Sequence, residues 1–317
     1  YRPARLWIPE EFTHDTPARR PRRALSGVAE VPDDPHYRGV VDTALERIGA
    51  GELSKVVLAR AVDVRAQTAV DQTALYEVLA DANPAAYAFG VDLGTHGTML
   101  GASPELLVRV DGRSVVSTPL AGSAPRGADR DSDLRARDGL ARSAKDLHEH
   151  GIVVERVDAA LGPLTSVLEV PAGPSLSATE QLWHLSTTLS GHLRPGVTAL
   201  DAAYALHPTP AVCGFPGVAA SRLIGELEAT DRGFFAGLVG WMDAEGNGEW
   251  VLSLRCGLVR DDEVRVHAGA GVVADSTAAG EHAETATKLQ TFLRSLRAVS
   301  GDVETVPAAD ALAVSGA

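Results

Sequence analysis

The hydrophobic positions of this chain recur with two different periods, and each change of period predicts a change of element. Apolar residues three to four positions apart indicate an amphipathic helix, whereas short apolar runs bounded by Gly, Asn and Asp indicate strands. On this basis we predict helices over 36–50, 71–82, 132–161, 198–206 and 216–228, with a last helix beginning near 280. The same criteria predict strands over 54–64, in succession through 86–123, over 183–193, and as a meander in the last third of the chain.

The order of these elements predicts the fold class. Runs of strands in hairpin order are separated by helices, which is typical of an α+β fold with large antiparallel sheets and not of a doubly wound sheet. Residues 1–35 are rich in Pro and Arg, and we expect an irregular N-terminal segment there. Residues 301–317 are expected to form a loosely held C-terminal tail. One large domain would then occupy 36–300.

The last predicted helix carries charges in an unexpected place. In the segment EHAETATK (281–288), Glu281, Glu284 and Lys288 share one side, and that side becomes apolar from Phe292 onwards. One interpretation is an exposed Glu284–Lys288 pair four residues apart. The other is that the charges point inward, where they need a partner or a metal ion.

A second acidic pair lies in KDLHEHG (145–151). Asp146 and Glu149 are three residues apart on the predicted long helix, and apolar residues follow at once. Two such pairs could converge on one hard cation, and oxygen ligands alone favour Mg²⁺ over Zn²⁺. The alternative is two unrelated solvated helix faces.

The composition sets limits on function. Of the 317 residues, 45% are hydrophobic and 22% are charged, as in a globular protein with a core. The net charge of −13 argues against a nucleic-acid partner, and the prolines in and before ARRPRR (18–23) predict a loop there. Cys213 and Cys256 lie in no metal or redox motif, and no apolar run is long enough to span a bilayer. We expect a cytoplasmic protein with reduced thiols and no membrane partner.

The glycine-rich stretch AGAGVV (268–273) is not a dinucleotide-binding fingerprint. Its third glycine is absent, and no helix opens directly after it. A glycine turn through which backbone N–H groups approach an anion is the remaining interpretation.

Nine motifs in order give the chain a family resemblance. From about residue 40 to 297 it resembles the chorismate-utilising enzymes, which include isochorismate, salicylate, anthranilate and aminodeoxychorismate synthases. The motifs are SKVVLAR, GASPELL, STPLAGSAPRG, KDLHEH, WHLSTT, LHPTPAVCGFP, GWMDAEGNGEWVLSLRC, HAGAGVV and EHAETATK. The resemblance implies one α+β domain of two stacked antiparallel sheets with helices packed outside, and a cleft near the sheet ends. The family's further strands before the segment matching 1–35 are not in this sequence, which leaves the extent of one sheet open.

The resemblance also implies a magnesium site. In the family pattern, acidic residues at the positions of Glu149 and Glu284 hold Mg²⁺ on the ring carboxylate of chorismate. Asp146 and Glu281 would hold metal-bound waters or complete the shell. The inward charges of the last helix would then be explained by the metal ion.

Chorismate itself is the small-molecule partner that the resemblance implies. Arg255 matches the position that binds its side-chain carboxylate, and a planar guanidinium suits that anion. Further residues expected to contact the substrate are Gly122, Ser123, His184, Ala211, Leu254, Gly269, Ala270, Gly271 and Lys288.

Two residues match the family's catalytic positions. Lys55 would take a proton from the water that attacks ring carbon 2, which requires its neutral form. Family members that use ammonia usually carry glutamine there, so Lys55 favours water as the nucleophile. Glu105 would protonate the departing carbon 4 hydroxyl, and an apolar pocket would keep it protonated.

The resemblance favours isochorismate synthase over the other branches. Ala211 and Phe235 match the isochorismate-forming branch, whereas salicylate synthases tend to carry threonine and tyrosine there. Salicylate synthase, an ammonia-using synthase and a non-catalytic chorismate-binding relative remain alternatives. The family implies a monomer, whose product passes to an isochorismate-using enzyme that the sequence does not identify.

Overall fold

The computed structural model describes Leu25 and residues 31–306. The predicted loop at 18–23, most of the segment 1–35 and the end of the tail lie outside the described residues. The described helices are α1 (Pro35–Gly49), α2 (Gln72–Ala82), α3 (Arg130–Arg142), α4 (Ala144–Leu161), α5 (Ala199–Leu206), α6 (Gly217–Leu227) and α7 (Ala278–Ser300). None of these helices is long and apolar enough to cross a membrane.

The strands of the described residues fall into three antiparallel sheets. They are β1 (Lys55–Ala66), β2 (Tyr87–Asp92), β3 (Thr98–Ser103), β4 (Leu106–Asp111), β5 (Ser114–Ser117), β6 (Leu120–Pro125), β7 (Thr165–Glu169), β8 (Ser175–Ala178), β9 (Leu182–Ser186), β10 (Leu189–Leu193), β11 (Gly214–Phe215), β12 (Leu238–Met242), β13 (Gly248–Leu252), β14 (Cys256–Arg260), β15 (Glu263–Val272) and β16 (Val303–Thr305). The first sheet has the order β11-β1-β15-β14-β3-β2, with β16 paired to β1, and the second has the order β12-β13-β4-β5-β10-β7. A third, smaller sheet has the order β6-β9-β8. The predicted α+β class with large antiparallel sheets is confirmed.

One predicted helix is wrong. The stripe over 132–161 forms two helices, α3 and α4, which are separated by Ser143 in an extended conformation (φ −69°, ψ 112°). The Ser143 hydroxyl accepts a hydrogen bond from the Asp146 N–H at 3.3 Å and so starts α4. Both helices pack on β6 and β9, so apolar residues recur on both sides of the break and the pattern does not reveal it.

Two predicted strands are also divided. The segment 183–193 becomes β9 in the third sheet and β10 in the second. The segment GEWVLSLRCGLVR (248–260), one strand of the meander predicted for the last third of the chain, becomes β13 in the second sheet and β14 in the first. The chain therefore crosses between sheets at these points, and Arg255 lies on the second crossing. Strands β7 and β8 were not predicted, and β16 lies within the segment that was expected to be a tail.

Alternation along β1 and β15 sets the two faces of the first sheet. Val56, Leu58, Val62 and Val64 of β1 pack with residues of α1, α2, α6 and α7. The intervening Ala59 belongs to the core shared with the second sheet, α4 and α5. On β15 the residues on the helix-covered face are Val264, Val266, Ala268, Ala270 and Val272, so its other face carries Glu263, Arg265, His267, Gly269 and Gly271. We call this second face the inner face; it forms one wall of the cleft described next.

Candidate functional site

A cleft of about 640 Å³ opens beside the inner face of the first sheet. Strand β6 of the third sheet, helices α4 and α7, and the segments around 211 and 235 complete its walls. Its lining includes most of the residues that the sequence predicted for the site: Glu105, Gly122, Ser123, Glu149, His184, Ala211, Leu254, Arg255, Gly269, Gly271, Glu284 and Lys288. Four predicted residues, Lys55, Asp146, Ala270 and Glu281, do not line it.

Gly271 is a glycine because a carboxylate approaches its backbone. A Cβ built on Gly271 would lie 2.1 Å from Glu149 Oε1 and 3.0 Å from Lys55 Cε. Any side chain there would displace both residues from their present positions. The neighbouring Ala270, which was also predicted to contact the substrate, does not line the cleft. Its side chain faces the helix-covered side of the sheet, where it is fully buried.

Lys55 lies at the start of β1, behind Glu149 as seen from the cleft. Its side chain is fully buried, and its Nζ lies 2.9 Å from Glu149 Oε1. Among the described residues this Nζ has no hydrogen-bond partner of good geometry. A buried ammonium with unused donors needs a further partner, and the cleft on the far side of Glu149 is the direction from which one can come.

Glu105 is another carboxyl group of the cleft lining. It is 4% exposed, and its Oε1 accepts a hydrogen bond from the Leu120 N–H at 3.3 Å. Burial raises the pKa of Glu105 to about 7, although the Leu120 N–H and the charges of Lys55 and Arg255 act in the opposite direction. Glu105 is therefore substantially protonated near neutral pH and can donate a proton.

Arg255 enters the cleft from a strained backbone. It lies between β13 and β14 with φ of 51°, in the left-handed region that non-glycine residues seldom adopt. Such a conformation costs on the order of 1–3 kcal/mol and is concentrated at functional sites. The strain lets one chain segment leave the second sheet, present Arg255 to the cleft and enter the first sheet.

The charged side of α7 points inward, and its i,i+4 pair also forms. Lys288 contacts Glu284 and donates a second hydrogen bond to the Gly269 carbonyl oxygen at 2.9 Å. The side chains of Glu284 and Lys288 are only 19% and 14% exposed. Burial raises the pKa of Glu284, but the charges of Lys288 and Lys145 outweigh it, so the net pKa lies below the usual value. Glu284 is thus an anion at neutral pH.

Glu281 reaches across to α4. Its Oε1 accepts a hydrogen bond from Lys145 Nζ at 2.6 Å, and its side chain is 1% exposed. Its Oε2 is buried without a hydrogen-bond partner among the described residues. Burial and the negative charge of Glu284 raise the pKa of Glu281, and burial also raises the pKa of Asp146.

These carboxylates fit a hard cation in their chemistry. Asp146, Glu149, Glu281 and Glu284 supply only oxygen donors, and the Oε2 atom of Glu281 is buried without a partner. Three of them are each paired with a different lysine: Lys55, Lys145 and Lys288. Within the part of the chain that the structure describes, no three His, Cys, Asp or Glu side chains are already arranged as a metal site. A cation would therefore replace lysine contacts.

His184 and the residues Gly122 and Ser123 of β6 form another part of the cleft wall. His184 is 4% exposed, and its Nε2 is buried without a partner among the described residues. Burial, with the charges of Arg255 and Lys288, holds the pKa of His184 well below its usual value, so the ring is neutral. Gly122 has φ of 79°, and a Cβ there would lie 2.9 Å from Asp146 Cβ. Glycine thus allows β6 to pass close to α4.

Sequence reasoning missed two basic residues of the lining or its support. Arg232 donates to the Val57 and Val212 carbonyl oxygens at 2.7 Å each, and it contacts Glu228. It therefore fixes two backbone segments of the cleft wall. Lys145 was also missed, although it directly precedes Asp146. Isolated basic residues carry no spacing signal, and their partners lie far away in the sequence.

Comparisons with known proteins agree with this architecture. The family model described as Chorismate binding enzyme matches residues 7–297. The chain is 44% identical over 308 residues to isochorismate synthase DhbC of Bacillus subtilis (strain 168), covering 92% of this chain and 77% of that protein. It is 43% identical over 301 residues to isochorismate synthase EntC of Escherichia coli (strain K12), with the same coverage. A solved structure from Bacillus anthracis, described as a 2,3-dihydroxybenzoate-specific isochorismate synthase, superimposes with a TM-score of 0.82 at 46% identity, covering 84% of this chain and 72% of that one.

Proposed function

The chain belongs to the chorismate-binding enzyme family, and we propose that it converts chorismate into isochorismate. The observation that carries this proposal is the cleft-lining Glu105, whose pKa burial raises to about 7, together with a buried lysine, Lys55, whose Nζ lies 2.9 Å from the cleft-lining Glu149. Relatives that are 43–44% identical are named isochorismate synthases, which supports the same reaction.

The proposed reaction exchanges one hydroxyl position for another. The oxygen of a water molecule bonds to ring carbon 2, the ring double bonds shift, and the bond from carbon 4 to its hydroxyl oxygen breaks. Lys55 accepts the proton of the attacking water, and Glu105 gives its proton to the departing hydroxide, which leaves as water. Water is consumed and released once each, so product and substrate are isomers. Exchange with solvent restores both protonation states.

The two residues must be prepared differently for these roles. Glu105 is ready because burial already brings its pKa to about 7. Lys55 must part from Glu149 and lose its proton before it can act as a base. Its Nζ has donors without a partner and contacts Glu149 at 2.9 Å, so a movement toward the cleft would break that one contact.

Cations in the cleft would bind the two carboxylates of chorismate. Arg255 offers a planar fork, and Lys288 a point charge beside the Gly269 carbonyl. Glu149 and Glu284 would hold Mg²⁺, with Asp146 and Glu281 completing the shell, because their oxygen donors suit that ion. When bound, the ion would neutralise the ring carboxylate and withdraw electron density from the ring.

Salicylate synthesis is the second candidate. A neutral His184 with an unpartnered Nε2 in the cleft could take part in a following elimination of pyruvate. Ala211 and Phe235 speak for the isochorismate-forming branch, as the family resemblance implies. Product identity distinguishes the two.

A product assay tests the proposal. Chorismate is incubated with the full chain, with and without Mg²⁺, and the products are separated chromatographically. Isochorismate without pyruvate is expected, and only with Mg²⁺. Lys55→Ala should abolish turnover but still bind chorismate. Salicylate with pyruvate would select the second candidate, and binding without turnover would indicate a non-catalytic relative.

A further inference from the structure

A second cavity, distinct from the cleft, lies further along the inner face of the first sheet. About 530 Å³ of space lies among its lining atoms, open solvent at its mouth included. On β15, Gly269 and Gly271 line the cleft, whereas His267 and Arg265 line this second cavity. The alternation that makes one face of β15 available to the substrate thus continues into a site that the proposed reaction does not use.

Two residues separate the second cavity from the cleft and belong to both. Phe235 lines the cleft and stacks on the His267 ring, with centroids 5.2 Å apart and planes 15° apart. Arg232 also lines both cavities, and its guanidinium holds the carbonyls of Val57 and Val212 in the cleft wall. A ligand in the second cavity would therefore press on side chains that shape the substrate site.

The second cavity contains polar atoms without partners. His267 Nε2 and Arg260 Nε are both buried and have no hydrogen-bond partner among the described residues. Buried polar atoms in folded proteins nearly always have one. Arg260 and His267 lie on the neighbouring strands β14 and β15 and both line this cavity, so a polar ligand there would meet two side chains with unused hydrogen-bonding atoms.

The charges of the cavity leave Arg260 available to an anion. Arg265 forms a bidentate pair with Asp63 at 2.7 and 2.9 Å, and Arg232 is paired with Glu228. The Arg260 contact in the described residues is to the His96 carbonyl oxygen at 3.4 Å, with no carboxylate paired to it. Asp231, exposed at the rim, makes the mouth less attractive to a strongly charged phosphate than to a monoanion.

The rest of the lining is apolar and suits a ring. Leu93, Met99, Phe234 and Leu258 surround the cavity. Burial lowers the pKa of His267 to about 4, so the ring is neutral at pH 7 and can share a hydrogen bond with a hydroxyl group. A ligand with one anionic end, one hydroxyl and a flat apolar body would satisfy every open position.

We propose that the second cavity binds a single-ring aromatic hydroxy acid, with the carboxylate on Arg260, the hydroxyl on His267 and the ring among Leu93, Met99 and Leu258. Its occupancy changes the position of Phe235 and so reduces turnover without competing with the substrate. The binding itself does not rest on the proposed reaction.

Salicylate is a suitable probe because it carries one ring, one carboxylate and one hydroxyl. Isothermal titration calorimetry of the full chain with salicylate should give saturable binding, with benzoate weaker because it lacks the hydroxyl. Arg260→Met should weaken salicylate binding about tenfold or more, the loss expected for a charge-assisted hydrogen bond. Leu258→Trp should fill the cavity and also weaken binding. Arg194→Met is the matched control, since it removes an arginine bonded to a backbone carbonyl in a different part of the fold.

The cleft must be excluded as the place of binding. Arg255→Met should leave salicylate affinity within about twofold of wild type, and salicylate should lower the maximal rate of turnover without raising the KM for chorismate. Thermal unfolding checks that each variant is folded. If Arg260→Met does not fold, Leu258→Trp alone tests whether salicylate binds in the second cavity. Absence of saturable binding to the wild-type chain would overturn the proposal. So would wild-type affinity in both cavity variants, or loss of binding only in Arg255→Met.

Discussion

Two sides of the cleft hold carboxyl groups in opposite conditions. On one side, Glu105 is buried with a backbone N–H as its hydrogen-bond donor, and its pKa is raised to about 7. On the other side, Glu149 and Glu284 are each paired with a lysine, and so is Glu281, which does not line the cleft. The same functional group is therefore a proton donor where burial outweighs the charges of Lys55 and Arg255, as at Glu105, and an anion where lysine charges outweigh burial, as at Glu284. The role follows from the neighbours and not from the residue type.

The largest effect is expected from removing the proton of Glu105. We expect Glu105→Gln to lower the rate of isochorismate formation about 10²- to 10⁴-fold, the usual contribution of a general acid, with little change in chorismate binding. Steady-state kinetics at pH 7 measures the effect. Glu249→Gln, a surface carboxylate on β13 paired with Arg109, is the control and should change the rate less than about twofold. Near-normal turnover by Glu105→Gln would show that Glu105 is not the general acid.

The second test uses the pH dependence of stability. The folded-state pKa of Glu105, about 7, lies above its usual value of 4.5, so the folded state binds this proton more tightly than the unfolded state. Its stabilising contribution is complete below about pH 4.5 and is lost as the pH rises through 7, a change of about 3 kcal/mol.

Urea unfolding of the wild type and Glu105→Gln at pH 5 and pH 8 measures this contribution. The free energy of unfolding of the wild type, relative to that of the variant, should be lower at pH 8 than at pH 5, because glutamine does not titrate. An unchanged difference between the two proteins would show that Glu105 is not held in its neutral form.

The third test addresses the lysine side. Lys145→Met would leave Glu281, which is 1% exposed, without its cation and should lower the free energy of unfolding by about 2 kcal/mol. This figure lies below the usual loss for a broken buried pair because Lys145 is 26% exposed. Lys145→Met/Glu281→Gln should recover much of the loss, since no uncompensated charge remains. Equal stabilities of the single and double variants in urea unfolding would argue that the pair is not coupled.

The smallest effect concerns the break that orients α4. Ser143→Ala removes the N-cap of the helix that carries Asp146 and Glu149, and we expect a loss of about 1 kcal/mol in the free energy of unfolding. Thr287→Ala is the matched control, because its hydroxyl donates only to the Ala283 carbonyl within α7. A loss for Ser143→Ala no greater than that of Thr287→Ala would mean that the cap does not define α4.

The sequence predicts strand β1 because an apolar run over 54–64 is a local signal. The inward charges of α7 were one of two interpretations that the stripe through Phe292 left open, and the family resemblance favoured it. The break at Ser143 leaves the apolar pattern over 132–161 intact, since a cap changes the backbone at one residue without interrupting the stripe. It could not be predicted from periodicity.

Contacts between distant segments were also beyond sequence reasoning. Lys145 and Glu281 are 136 residues apart, and Arg232 reaches Val57 across 175 residues. Nothing in the local pattern specifies such pairs, because they depend on how α4, α7 and β1 pack. The placement of Lys55 behind Glu149, and not in the cleft wall, belongs to the same class.

The most direct test of the central claim, that this cleft adds water to carbon 2 of chorismate, is an isotope experiment. The full chain is incubated with chorismate and Mg²⁺ in water enriched in ¹⁸O, and the product is analysed by mass spectrometry with fragmentation of the ring. Isochorismate carrying one ¹⁸O atom on carbon 2 is expected. Isochorismate whose ring hydroxyl contains no solvent oxygen would contradict it.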